Sequence, residues 1–113
     1  MRLLALLASG WTIIGQGQAS GKLTIAAASG TAIRPAAIRM KVTASPNIRT
    51  VARYSIRCRK RRHTMRATGK AVARTPLVKT VPLPLARPDV CVIVASATLP
   101  SATKLTVTIQ ARR

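Results

Sequence analysis

Hydrophobic and polar residues alternate along most of the chain with a period of two. The alternation is clearest over residues 104–111, where Leu105 and Ile109 share one face and lysine, threonine and glutamine side chains share the other. Because successive side chains of a β-strand point to opposite sides, this pattern predicts strands that are buried on one face only. Residues 38–44 and 51–58 repeat the pattern, so the chain is expected to be built from β-strands.

Turn-forming residues separate the alternating segments, and no stretch shows a helical period. Residues 22–28, 64–73 and 77–83 are weaker strand candidates, whereas residues 90–99 are apolar on both faces, as expected of a central strand. Leucine, proline, serine and alanine at 99–102 predict a turn. Six to seven short strands at this spacing predict an all-β fold, an antiparallel immunoglobulin-like β-sandwich.

The first residues have the features of a targeting segment. Arg2 precedes an apolar run over residues 3–14, which is too short to span a bilayer of about 30 Å as a helix. Small and polar residues follow, up to a plausible cleavage position after Ala19. This predicts a signal peptide over 1–19, a basic β-sandwich domain over 20–113 and a secreted protein. The alternative is that the apolar run is a buried N-terminal strand or helix of the mature fold.

The charge balance is extreme and argues against catalysis. The 113 residues contain 20 lysines and arginines against one acidic residue, Asp89, which gives a formal net charge of +19. Catalysis by paired carboxylates needs two acidic groups, and a Ser–His–Asp arrangement would have to combine Asp89 with His63, which follows a run of cations. The glycines at 15–22 lack the spacing of a phosphate-binding loop. We therefore predict that the chain is not an enzyme and has no cofactor.

Two cysteines fall on the inward phase of their predicted strands. Cys58 closes one strand and Cys91 opens another, which places both at the same end of the sandwich. A disulfide between them would close a loop of about 30 residues and stabilise the domain by roughly 3–4 kcal/mol. Two buried free thiols are the alternative. A metal site with His63 would lack a fourth ligand, so no metal is predicted.

The one feature with functional content is a basic hairpin. On its outward face, Arg53 and Arg57 are predicted to lie beside Arg66 and Lys70 on the facing strand. Like charges on neighbouring strands destabilise a sheet, so an anionic partner that relieves the repulsion explains them better than chance. The predicted polyanion-binding residues are Arg53, Arg57, Arg59, Lys60, Arg61, Arg62, Arg66 and Lys70.

These observations favour a secreted, non-catalytic binding module for anionic polymers: an envelope polymer, extracellular nucleic acid or an acidic polysaccharide. No helix could enter a DNA groove and no aromatic side chains in the strands could stack on bases, so binding is expected to be independent of sequence. One alternative is a cationic membrane-active or antimicrobial protein, although the strands offer no exposed Trp or Phe to insert. Another is a passive extracellular structural domain whose arginines reflect codon bias.

The chain also resembles the small secreted β-sandwich proteins of high-GC actinobacteria. The resemblance rests on VTASPN at 42–47, YSIRC at 54–58, TP at 75–76, VPLPLARPDVCVIVASATL at 81–99 and KLTVTIQA at 104–111. It covers about two-thirds of the chain, includes the two cysteines and implies export and a two-sheet fold. The family has no established activity, so it assigns no functional residues. This chain departs from it in carrying arginine and lysine where relatives tend to have serine, threonine and glycine.

Overall fold

The computed structural model describes residues 10–45, 49–83 and 88–113, with only the backbone described at 21–24 and 100–103. Its regular structure consists of six antiparallel strands. They are β1 (Trp11–Ile33), β2 (Ala37–Ser45), β3 (Arg49–Lys60), β4 (His63–Arg74), β5 (Leu77–Pro82) and β6 (Val90–Arg112). No helix long and apolar enough to cross a membrane occurs in the described residues.

The long strands β1 and β6 organise the fold, because each contributes to two sheets. Residues 90–98 of β6 pair with β3 on one side and with residues 25–33 of β1 on the other. Residues 104–112 of β6 pair with β2 and with residues 11–19 of β1. The first sheet therefore has the order β4–β3–β6–β1, and the second sheet has the order β5–β2–β6–β1. This confirms an all-β, antiparallel, sandwich-like fold, but with eight strand segments instead of the six or seven predicted.

The predicted alternation of buried and exposed residues is confirmed. Ile38 and Val42 of β2, Ile56 of β3, and Leu105 and Ile109 of β6 are all at most 2% exposed. The inner faces of both sheets contribute to one apolar cluster, which is built mainly from alanine, valine, isoleucine and leucine. Because these side chains are small, each buries little area, and the fold depends on many such contacts.

The turn predicted at 99–102 is wrong, because β6 continues through these residues. The backbone of Pro100 pairs with Leu23 of β1. On the other side of β6, pairing with β3 ends at Thr98 and pairing with β2 begins at Lys104. Pro100 therefore lies where β6 has a partner on one side only, a position at which a strand tolerates proline. Here β6 passes from the first sheet to the second.

Strand β1 also passes from one sheet to the other, and its two halves pack against each other. At the edge of the sandwich the backbone of Gly17 lies so close to Ala27 that a side-chain carbon at Gly17 would collide with the carbonyl oxygen of Ala27. Gly15 makes the same close approach to Ser29. Sheets of a sandwich are usually about 10 Å apart, so these glycines allow an unusually close contact at this edge.

The predicted signal peptide overlaps this strand. Residues 1–9 lie outside the described residues, while residues 11–19 form the first part of β1, with Ala19 paired to Leu105. The division into a signal peptide over 1–19 and a domain over 20–113 stays a prediction. Cleavage after Ala19 would remove an edge strand of the second sheet.

Candidate functional site

The basic hairpin is formed by β3 and β4, which are joined by a two-residue turn of Arg61 and Arg62. Pairing between β3 and β4 continues as far as Lys60 and His63, so only Arg61 and Arg62 form the turn. Arg61 adopts φ = 53°, a left-handed conformation that glycine or asparagine usually supplies in such turns. A non-glycine residue there carries strain on the order of 1 kcal/mol, and retained strain often accompanies a functional position.

Asp89, the single acidic side chain of the chain, lies at this turn. Its carboxylate oxygen Oδ2 accepts a hydrogen bond from the backbone N–H of Arg61 at 3.2 Å. Its own N–H donates to the carbonyl oxygen of Arg59 at 2.9 Å, and its carbonyl oxygen accepts from the N–H of Arg34 at 3.2 Å. The only carboxylate side chain is therefore committed to holding the tip of the hairpin.

Cations lie directly opposite one another across the hairpin. The pairs, here called the cation rows, are Arg49 with Arg74, Arg53 with Lys70, and Arg57 with Arg66. All of these side chains are exposed on the outward face of the first sheet. The predicted placement of Arg53 and Arg57 beside Lys70 and Arg66 is confirmed. Successive rows are four residues apart, which corresponds to about 13 Å along the strands.

The single acidic side chain, Asp89, does not reach the middle of these rows. Asp89 is hydrogen-bonded to Arg59, and Arg53 is six residues further along β3, a distance of about 20 Å. At physiological ionic strength the Debye length is about 8 Å, so the carboxylate is screened from the middle of the hairpin. Side chains paired across an antiparallel ladder have Cβ atoms only about 5 Å apart, where like charges repel.

The structure divides the predicted site residues between two places. Arg53, Arg57, Arg59, Arg66 and Lys70 share the outward face of the hairpin. The other predicted residues surround its tip, where a depression of about 410 Å³ is lined by Lys60, Arg61, Arg62 and His63. Of these, Lys60 is half-buried and the others are exposed.

One cation row was missed by sequence reasoning. Arg49 and Arg74 were outside the predicted site because the two strands were expected to begin at Val51 and to end at Ala73. The signal was present, since Arg49 is in the same odd-numbered phase as Arg53 and Arg57. Extending the alternation two residues back from Val51 would have included Arg49.

A shallow depression borders the cation rows and has a mixed lining. Its volume is about 380 Å³, and it lies between the arginines of the hairpin and the adjoining strand β6. Arg57, Arg59 and Arg66 supply positive charge, while Val90 and Val92 supply apolar surface. Such a site could receive an anionic group whose attached carbon skeleton rests on the valines.

The predicted disulfide is confirmed and lies on the inner side of this region. Cys58 of β3 and Cys91 of β6 are directly opposite one another, and their sulfur atoms are bonded with the Cα atoms 4.0 Å apart. Both residues are fully buried. Their thiolates are consequently not available as metal ligands, and the bond fixes β3 to the central strand.

A larger cavity, about 450 Å³, lies at the opposite edge, where the two ends of β1 meet. It is lined in part by Trp11, which sequence analysis had placed in the leader. The guanidinium groups of Arg39 and Arg112 lie 4.2 and 4.9 Å from the centre of the Trp11 ring. Because these cations already contact the ring, Trp11 does not present a free stacking platform.

No family model matches the chain, and no curated protein matches it. Among solved structures, the chain is similar to TmCBM61 in complex with β-1,4-galactotriose, with a TM-score of 0.48 and 7% identity over 95% of this chain and 94% of that one. It is similar to a carbohydrate-binding module of the β-sandwich superfamily, with a TM-score of 0.46 and 8% identity over 91% of this chain and 56% of that one. It is also similar to PirA, with a TM-score of 0.44 and 10% identity over 91% and 94% of the two chains. Likeness at this level says nothing about what this chain binds.

Proposed function

We propose that the chain is a secreted, non-catalytic binding module, an immunoglobulin-like sandwich that contacts anionic polymers through the outward face of its β3–β4 hairpin. The observation that carries the proposal is the set of cation rows, in which arginine and lysine side chains lie opposite one another and none has an acidic residue as its partner in the ladder. A linear polyanion laid along the hairpin would replace this repulsion with attraction at each row.

The chemistry of the hairpin suits phosphate, sulfate or carboxylate groups. Arginine dominates the rows, and its planar guanidinium binds two oxygens of an anion at once. The backbone conformation of Arg61 supports the same function. Glycine would be more stable at this positive φ, yet the chain has a cation there. The rows carry no aromatic side chain and no acceptor for base edges, so the binding is to the polymer backbone and depends on salt.

Export of the module is part of the proposal. It is supported by the Cys58–Cys91 disulfide, since such bonds persist mainly in oxidising compartments. The resemblance to secreted actinobacterial β-sandwich proteins would place the partner outside the cell. An envelope polymer, extracellular nucleic acid and an acidic polysaccharide all fit this description, because each presents a chain of negative charges.

The proposal is tested by measuring the affinity of the full chain for a fluorescent DNA duplex and for heparin over a range of salt concentrations. In the variant R53S/R57S/R66S, the slope of log K against log salt should fall by about 2–3, roughly one unit for each phosphate that is no longer neutralised. The variant R61G should weaken binding while its thermal stability stays the same or rises, because it removes a cation and relieves the backbone.

The matched control is K41S/K79S/K104S, which lowers the net charge equally but changes exposed cations outside the hairpin. Its salt slope should stay close to that of the wild type. If the two triple variants lose affinity equally, attraction is a property of net charge alone and the hairpin is not a site. If the wild type elutes from heparin at low salt, the chain is a passive structural domain.

A further inference from the structure

The outward face of the first sheet carries an exposed apolar strip beside its cations. Ile33 of β1 is 62% exposed, and Val92 and Val94 of β6 are 41% and 49% exposed. Val90 completes the strip and pairs with Ile33. Residues 90–99 were expected to be apolar on both faces because the strand is central. The strand is central, but no described part of the chain covers its outward face.

Exposed apolar side chains are concentrated on this face of the molecule. Seven large apolar residues are at least 41% exposed among the residues described. Five of them are on the outward face of the first sheet: Ile25, Ile33, Val72, Val92 and Val94. The remaining two, Ile13 and Val78, belong to the second sheet. Isolated exposed apolar residues are ordinary, but a cluster of them on one face marks an interaction surface.

The strip and the cation rows form one continuous surface. Arg57 pairs with Val92, and Arg59 pairs with Val90, so each of these arginines has a valine as its neighbour in the ladder. Neighbouring strands are about 4.8 Å apart, and the positive and apolar groups therefore reach the same partner together. A polymer that carries only charge would leave the apolar strip in water.

We propose that this face docks flat on an anionic lipid membrane. The inference rests on the cationic surface of the proposed function and adds the apolar strip to it. In the docked state the arginines contact the phosphates of the headgroups, and the strip from Ile33 to Val94 reaches the boundary with the acyl chains. A surface that combines negative charge with an apolar layer directly beneath it satisfies both parts of this face along its whole length.

Charge complementarity argues for a membrane instead of a second copy of the chain. Two copies packed through their strips would bring the cation rows of both together, and each copy has only Asp89 to offset them. The absence of tryptophan and phenylalanine from the strip limits the depth of insertion. Adsorption is therefore shallow and reversible, and it requires anionic headgroups and the apolar contact at the same time.

The test is co-sedimentation of the full chain with vesicles of phosphatidylcholine alone or mixed with phosphatidylglycerol. Wild type should bind the mixed vesicles and not the neutral ones. The variant V92T/V94T keeps the β-branched shape while removing exposed apolar groups, and it should bind mixed vesicles about five- to tenfold more weakly. The control I13T/V78T removes two apolar residues of the second sheet that are more exposed than Val92 and Val94, and it should bind as the wild type does.

Heparin affinity distinguishes the two proposals. The variant V92T/V94T should elute from heparin at the same salt concentration as the wild type, since no cation has changed. If its vesicle binding is also unchanged, the apolar strip takes no part in docking and the membrane inference is wrong, even where heparin binding persists. If the wild type forms a dimer without lipid and V92T/V94T abolishes it, the strip is an interface between copies and the inference is likewise overturned.

Discussion

Replacing Arg53 and Arg57 with threonine should make the folded protein more stable while weakening its binding to polyanions. The two changes remove one cation from each of two opposed pairs, with Lys70 and with Arg66. A directly opposed pair of like charges costs about 0.2–1 kcal/mol, so relief of two pairs contributes about 0.5–2 kcal/mol. Threonine also favours strand positions. For a domain of this size the melting temperature should rise by about 2–8 °C.

The assay is thermal unfolding followed by circular dichroism at low and high salt. The Debye length falls from about 30 Å at 0.01 M salt to about 10 Å at 0.1 M, so salt relieves the repulsion in the wild type and has less to relieve in the variant. The matched control is Lys41→Thr, because Lys41 is an exposed strand cation whose partners, Val78 and Thr108, are uncharged. It should change the melting temperature little at either salt concentration.

Two results would refute the reasoning. One is a variant that melts below the wild type at low salt, which would mean that the arginines contribute packing that outweighs their repulsion. The other is an equal gain in melting temperature with salt for both proteins. In either case the cation rows are not strained, and strain no longer argues for an anionic partner.

Two further predictions concern the scaffold. The variant C58A/C91A should lose about 3–4 kcal/mol of unfolding free energy in urea, because the bond closes a loop with a sequence separation of 33 residues; a loss below about 1 kcal/mol would contradict this. Gly17→Ala should lose about 1–3 kcal/mol, because its new methyl group meets backbone that cannot move aside. Gln18→Ala, an exposed neighbour in the same strand, serves as the comparison and should be neutral.

The sequence was sufficient to predict which side of each strand is buried. Ile38 and Val42 in β2, and Leu105 and Ile109 in β6, are buried as their period of two required. The register of the hairpin was also accessible, because a short turn between two alternating segments fixes which residues face one another. Arg57 meets Arg66 for this local reason.

The path of the long strands could not be predicted in this way. Proline and serine near 100 indicate a turn when the chain is considered locally, yet β6 continues because β1 follows it as a partner from one sheet to the other. That pairing joins residues far apart in the sequence, such as Ala19 and Leu105, which are 86 positions apart, and it leaves no local signal. The exposure of Val92 and Val94 could not be predicted either, because the burial of a side chain depends on which distant residues pack against that face of the sheet.

Two stabilising contacts of the first sheet lie where its positive charge is densest. Cys58 lies between Arg57 and Arg59 in β3 and is bonded to the central strand from the inner face. One residue further on, the carbonyl oxygen of Arg59 accepts a hydrogen bond from the N–H of Asp89, whose carboxylate accepts one from the N–H of Arg61 in the turn.

Repulsion within the hairpin tends to separate its arms and to detach β3 from its neighbour. A covalent bond and a carboxylate at the charged end oppose that separation, so the cations remain aligned on one face when no partner is bound. An anionic partner then meets a surface that is already ordered, which lowers the entropic cost of binding.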